Sequence, residues 1–231
     1  MNFQALPGSG GIPILVSDFG NPEQKNERLF AFESGYRHTW SDKLTLDATA
    51  FFNQYHDLES VEPMPTRMES SPAPVYLLVP FQFGNGLHGE TYGFEAFANW
   101  KAASFWTLSP GYNYLTMQIH RSAYSQDTTS GPGTEGGVPK HQAMLRSQVM
   151  LPDHLQWNTS AFFVDRLRAV AVPSYTRLDS GLTWQRWERC SMSVIGQNLL
   201  RASHQEFAGP DSSVLPGLVR REVYGRISWA F

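Results

Sequence analysis

The sequence predicts an all-β chain: an antiparallel transmembrane β-barrel, present in part, with about nine strands. Three observations carry this expectation. Apolar residues recur at every second position over long segments, as in a strand with one apolar face. The segments run to roughly 9–15 residues, against ~5–6 for a soluble strand and ~9–11 for a tilted membrane strand. Their connections alternate strictly between short and long. Outer-membrane barrels do the same, with tight periplasmic turns and long extracellular loops.

Each strand shows its stripe in turn. Phe30, Phe32, Tyr36 and Trp40 mark the first, over Arg28–Trp40. Leu44, Leu46, Ala48, Ala50 and Phe52 mark the second, opposite Thr45, Asp47, Thr49 and Asn53. Tyr92, Phe94, Ala96, Ala98 and Trp100 mark the third, with Phe97 out of pattern. Trp106, Leu108, Tyr112 and Tyr114 follow, then Ala143, Leu145, Val149 and Leu151. Leu155, Trp157, Ala161 and Phe163 make the sixth, and Leu178, Leu182 and Trp184 the seventh. Met192 and Val194 make a weaker eighth; Val223, Ile227, Trp229 and Phe231 make the last. The short connections are Ser41–Lys43, Ala103–Ser104, Pro152–His154 and Glu188–Arg189. The long ones are Asp57–Gly89, Arg121–Lys140, Asp165–Ser174 and Leu199–Glu222. Val75–Phe83 reads as a hairpin within the first long loop, rising above the membrane.

Composition narrows the function. The 231 residues carry 18 Lys+Arg and 21 Asp+Glu, a net charge of −3, so no basic surface points to nucleic acid. Charged residues are only 17%, below the ~25% of a soluble domain. No apolar run of ~18 residues is present, which excludes a spanning helix but leaves a barrel open. The single cysteine excludes an internal disulfide and any multi-Cys metal site. A soluble β-sandwich or lipocalin-like barrel shares the alternation. Strand length, aromatics near strand ends and a polar opposite face favour the membrane. Met1–Gly20 has neither the basic start nor the apolar core of a signal peptide.

No catalytic, cofactor or metal constellation stands out. Gly84–Gly89 matches G-x-G-x-x-G, but the residues after it alternate as a strand, whereas a dinucleotide site needs a helix there. No G-x-S-x-G elbow exists. Seven histidines are present with no H-x-H or H-x-x-x-H pair, so a metal site would have to be assembled by the fold. Glu33, Asp47, Glu95, Arg146, Arg177, Asp179 and Arg226 fall on the polar sides of their strands and read as paired lumen charges. The long loops carry Tyr55, Tyr76, Phe81, Phe83 and Tyr124, which read equally as ligand contacts, with His88 beside them, or as the filling of a loop hairpin.

Several segments resemble the C-terminal barrel portion of TonB-dependent outer-membrane receptors. Gly20-Asn21-Pro22, Lys25 and Glu27-Arg28-Leu29 resemble that family's loop-to-strand entry, and Glu33–Arg37 its following strand. Gly89–Glu95 (GETYGFE) resembles the strand start after a long loop. Val172–Asp179 (VPSYTRLD) and Gly196–Leu200 (GQNLL), with His204 and Glu206-Phe207, resemble two further motifs; Arg201 stands where the family has Asp. Tyr224-Gly225-Arg226 and Phe231 resemble the last barrel strand.

The resemblance implies a receptor without covalent chemistry, not an enzyme. It implies uptake of a scarce ligand, an iron–siderophore complex, across the Gram-negative outer membrane. It implies no cofactor. Partners would be membrane lipid, the barrel-assembly machinery, a ferric siderophore, and TonB only through a plug domain absent here. Residues 1–27 would be the remnant of an extracellular loop and 28–231 the barrel strands. Val223, Ile227, Trp229 and Phe231 would form the assembly signal. The chain alone would not be transport-competent. The alternative is a small self-contained porin or lipid-modifying barrel enzyme.

Overall fold

The structure, a computed structural model, describes residues 2–6, 11–187, 189–208 and 216–229. The nine striped segments are all strands: β3 (Arg28–Ser41), β4 (Leu44–Pro63), β6 (Tyr76–Ala103), β7 (Trp106–Arg121), β8 (His141–Leu151), β9 (Leu155–Val164), β10 (Tyr175–Trp187), β11 (Cys190–Gln197) and β14 (Glu222–Trp229). They pair in chain order. The remaining strands are β1 (Asn2–Leu6), β2 (Ile14–Phe19), β5 (Arg67–Glu69) and the separate hairpin β12 (Ser203–Phe207) with β13 (Gly217–Arg220). Among the described residues β3 pairs with β4 alone and β14 with β11 alone, so the sheet does not close into a barrel.

Two differences from the sequence expectation concern the ends of strands. The segment Asp57–Gly89 is mostly strand rather than loop, because β4 continues to Pro63 and β6 begins at Tyr76. Val75–Phe83 is not a hairpin by itself: Tyr76–Phe83 is a continuous part of β6, and β5, earlier in the chain, folds back antiparallel on Tyr76–Leu78. Residues 1–27 carry the β1–β2 hairpin, and β2 runs parallel to β6, Ile14 opposite Leu77 through Phe19 opposite Gln82. Gly84–Gly89 lies inside β6 and is extended throughout, which removes the dinucleotide reading.

The chain divides into two units. Unit 1 is Met1–Ala31, Asn53–Thr91 and Met117–Glu135; unit 2 is Phe32–Phe52, Tyr92–Thr116 and Gly136–Phe231. In unit 1, β6 is flanked by β2 and β5, and the 117–135 segment ends in the short helix α1 (Ser130–Gly136).

From β8 through β9 to β10 in unit 2 the register is regular, with Leu145 opposite Ala161 and Ala161 opposite Leu178. Large apolar side chains stay in contact with the surroundings: Trp157, Phe163, Leu182 and Val194 are all exposed, Val194 at 61%. A soluble sheet would bury such a stripe; a bilayer is the solvent that accepts it. Tryptophan is sorted to one end. Trp40, Trp100, Trp106, Trp157, Trp184 and Trp229 all lie near the short turns. That is an interfacial girdle. The Pro152–His154 turn places Asp153 and His154 at φ 60° and 59°, the left-handed region favoured in tight hairpin connections.

Candidate ligand-binding surfaces

Unit 1 is built around a polar knot. Asn85 of β6 donates its amide to the carbonyls of Lys25 and Asp57 at 3.0 and 2.7 Å and accepts the Lys25 N–H at 2.7 Å. One side chain thus ties three segments together. Ser60 Oγ accepts the Gly86 N–H at 2.8 Å. The Glu62 carboxylate accepts the Ser125 hydroxyl at 2.6 Å and the Gln126 N–H at 2.7 Å. Asp127 accepts the N–H groups of Val61, Thr129 and Ser130 at 2.8–3.0 Å and so fixes the entrance to α1.

The same bonds set the charges. Burial works against the ionised form of Asp127, but hydrogen bonds from the Ser130 side chain and N–H, and from the N–H groups of Val61 and Thr129, outweigh it and hold the carboxyl at about 2. Glu62 follows the same balance. Burial opposes its charge, and the Ser125, Gln126 and Ser60 bonds still bring it below the usual range despite the nearby Asp127.

The aromatic residues expected on loops are placed as follows. Tyr124 is 73% exposed, and its hydroxyl donates to the Asn85 carbonyl at 2.9 Å, so the ring stands at the surface on a fixed anchor. Tyr76, Phe81 and Phe83 lie within β6 and are half-buried; the Tyr76 hydroxyl donates to the Ser71 carbonyl at 3.1 Å. His88, exposed on β6, meets His120 of β7 with ring centroids 5.6 Å apart.

Unit 2 carries a concavity of about 600 Å³ on the polar face of its strands. Arg37, Asp47, Glu95, Asn113 and Gln142 supply its polar lining. Arg37 pairs with Asp47, and Asn113 donates to Glu95 at 3.2 Å. Phe97, the residue out of pattern, forms an apolar floor with Met144 and Phe162. Gly111, Met144, Phe162 and Arg177 lie opposite one another across four strands. An aromatic ligand bearing polar substituents fits such a lining.

The VPSYTRLD and GQNLL segments prove to be two halves of one cluster in unit 2. Arg177 pairs with Asp179 at 2.7 Å, and Asp179 accepts the Asn198 N–H at 2.9 Å. Fully buried Asn198 bonds His204 at 3.0 Å and donates to the Val219 carbonyl. His204 stacks on Tyr175 at 4.3 Å and contacts Glu206 at 2.7 Å. The cluster pins the β12–β13 hairpin to the top of β10. Val223, Ile227 and Trp229 line exposed β14; Phe231 lies outside the described residues.

Comparison with known proteins agrees with this architecture. Residues 3–199 match the family model described as TonB dependent receptor-like, beta-barrel. No curated protein matches. Among solved structures, the siderophore receptor PirA from Acinetobacter baumannii superposes with a TM-score of 0.68 at 15% identity, covering 99% of this chain and 36% of that one. The FrpB iron transporter from Neisseria meningitidis gives 0.67 at 13% identity, with 92% and 32% covered. The ferric yersiniabactin uptake receptor FyuA from Yersinia pestis gives 0.59 at 20%, with 87% and 29% covered. The chain therefore spans about a third of the length of these structures. The match over most of the chain, on a sheet with a membrane stripe and a tryptophan girdle, makes this chain a member of the TonB-dependent receptor β-barrel family of the Gram-negative outer membrane.

Proposed function

We propose that this chain is the C-terminal barrel portion, residues 28–231, of an outer-membrane receptor that takes up a ferric siderophore, with residues 1–27 belonging to an extracellular loop. The observation that carries the proposal is the family match joined to the lining of the unit 2 concavity, where Phe97 and Phe162 sit among Arg37, Asp47, Glu95 and Asn113. Rings on the ligand would stack on the phenylalanines, and its polar edge would meet the charged groups. Tyr124, with His88, Tyr76, Phe81 and Phe83, would provide first contact from outside. The reading assigns binding and passage to these residues and no covalent chemistry. Energised import through TonB is not assigned to these barrel residues. β14, through Val223, Ile227, Trp229 and Phe231, would present the strand that the assembly machinery recognises by edge pairing. Among the described residues β3 and β14 have no second neighbour, which weighs against a self-contained small porin or lipid-modifying barrel.

The test is uptake of radio-iron by iron-starved cells of the source organism, offered as a panel of catecholate, hydroxamate and mixed siderophores. Disruption of this coding region abolishes uptake of at least one ferric complex and leaves the others unchanged. Unchanged uptake of every complex would overturn the reading.

A further inference from the structure

Two histidines far apart in the sequence, His88 and His120, face each other on neighbouring strands β6 and β7 of unit 1. Glu90 follows His88 by two residues on β6 and so shares its face. Its Oε1 stands 3.6 Å from His120 Nε2. That is too long for a hydrogen bond. It is close to the separation of two ligands on one metal ion, since bonds of ~2.0–2.2 Å at a tetrahedral angle set ligand atoms roughly 3.4 Å apart. Gly89 enforces the approach, because a Cβ there would run into the Gln118 carbonyl oxygen of β7. The site is open to solvent: His88 is exposed and the His120 side chain is 51% accessible. Among the described residues no three such side chains already converge on one point. Closing the set would require the exposed His88 side chain to turn about its Cα–Cβ bond.

We propose that His88, Glu90 and His120 bind a single divalent transition-metal ion. Two imidazoles and one carboxylate select copper, nickel or zinc over calcium or magnesium, which prefer oxygen ligands alone. The pair is built on two paired strands, so the ion would also cross-link β6 to β7. The proposal concerns the bare ion and does not rest on the siderophore reading, with which it shares only His88.

The test uses the full 231-residue chain in detergent micelles, titrated with Cu²⁺ alone and followed by electron paramagnetic resonance. The expected result is one bound equivalent whose spectrum shows two imidazole nitrogens. His88→Ala and His120→Ala each weaken binding about tenfold or more, and Glu90→Gln weakens it less. His154→Ala, in a turn of unit 2, leaves binding unchanged. Far-UV circular dichroism identical to the parent shows that each variant is folded. Wild-type affinity and spectrum in the His88→Ala/His120→Ala double variant would overturn the proposal. So would the absence of bound Cu²⁺ at millimolar concentration in a chain with intact β-structure.

Discussion

Asp127 has the most consequential carboxylate in unit 1, because three backbone N–H groups depend on it. Its folded value of about 2 lies below the ordinary 3.8, so its contribution is fully present above pH 3.8 and is lost as pH falls towards 2. The contribution amounts to about 2 kcal/mol. Asp127→Asn should remove that pH dependence and expose the 122–130 segment to protease at neutral pH; cleavage that rises equally in both chains between pH 4 and 2 would contradict this. Gly93 carries a second prediction. A Cβ there would run into the Tyr114 carbonyl and the Phe51 ring, so Gly93→Ala should cost roughly 1–3 kcal/mol in urea unfolding. The glycine was visible in the sequence as part of GETYGFE, but its reason was not, since Tyr114 lies on the next strand. Asn85 and Asp127 were less legible still. Both residue types are ordinary turn formers, and their partners Lys25 and Val61 stand 60 and 66 residues away.

Strands were legible wherever one face meets lipid. There the period of two is imposed by the solvent, and β3, β7, β8, β9, β10 and β14 emerge from it directly. The distal parts of β4 and β6 were not. Around Val75–Phe83, residues on both faces of β6 are buried or half-buried from Tyr76 on, so apolar residues run continuously and the alternation vanishes. The parallel pairing of β2 with β6 leaves no local signal. Membrane burial gives the strands a property that a soluble sheet lacks. Val194 is exposed, so Val194→Arg would be nearly neutral in water. In bilayer vesicles it should destabilise by about 2–4 kcal/mol. Equal unfolding midpoints for parent and variant in vesicles would contradict the assignment of that face to lipid.

Among the described residues, the nine strands paired in chain order leave β3 and β14 as edges without a second neighbour. Counting through an antiparallel meander, the two run in the same direction. Joining them would create a parallel seam in an otherwise antiparallel barrel, whereas bacterial barrels close antiparallel with an even strand count. An odd number of further strands satisfies both edges. This is the topological counterpart of the one-third coverage of solved receptors. The central claim is that the apolar face of the sheet contacts hydrocarbon and the polar face does not. β10 tests it most directly. In a Cys190→Ser background, Ser180→Cys, Leu182→Cys and Trp184→Cys should react with a bilayer-confined photoprobe. Gly181→Cys, Thr183→Cys and Gln185→Cys should react only with a water-soluble thiol reagent. Labelling without that two-residue period, or protection of the even positions from both reagents as in a buried core, would contradict the account.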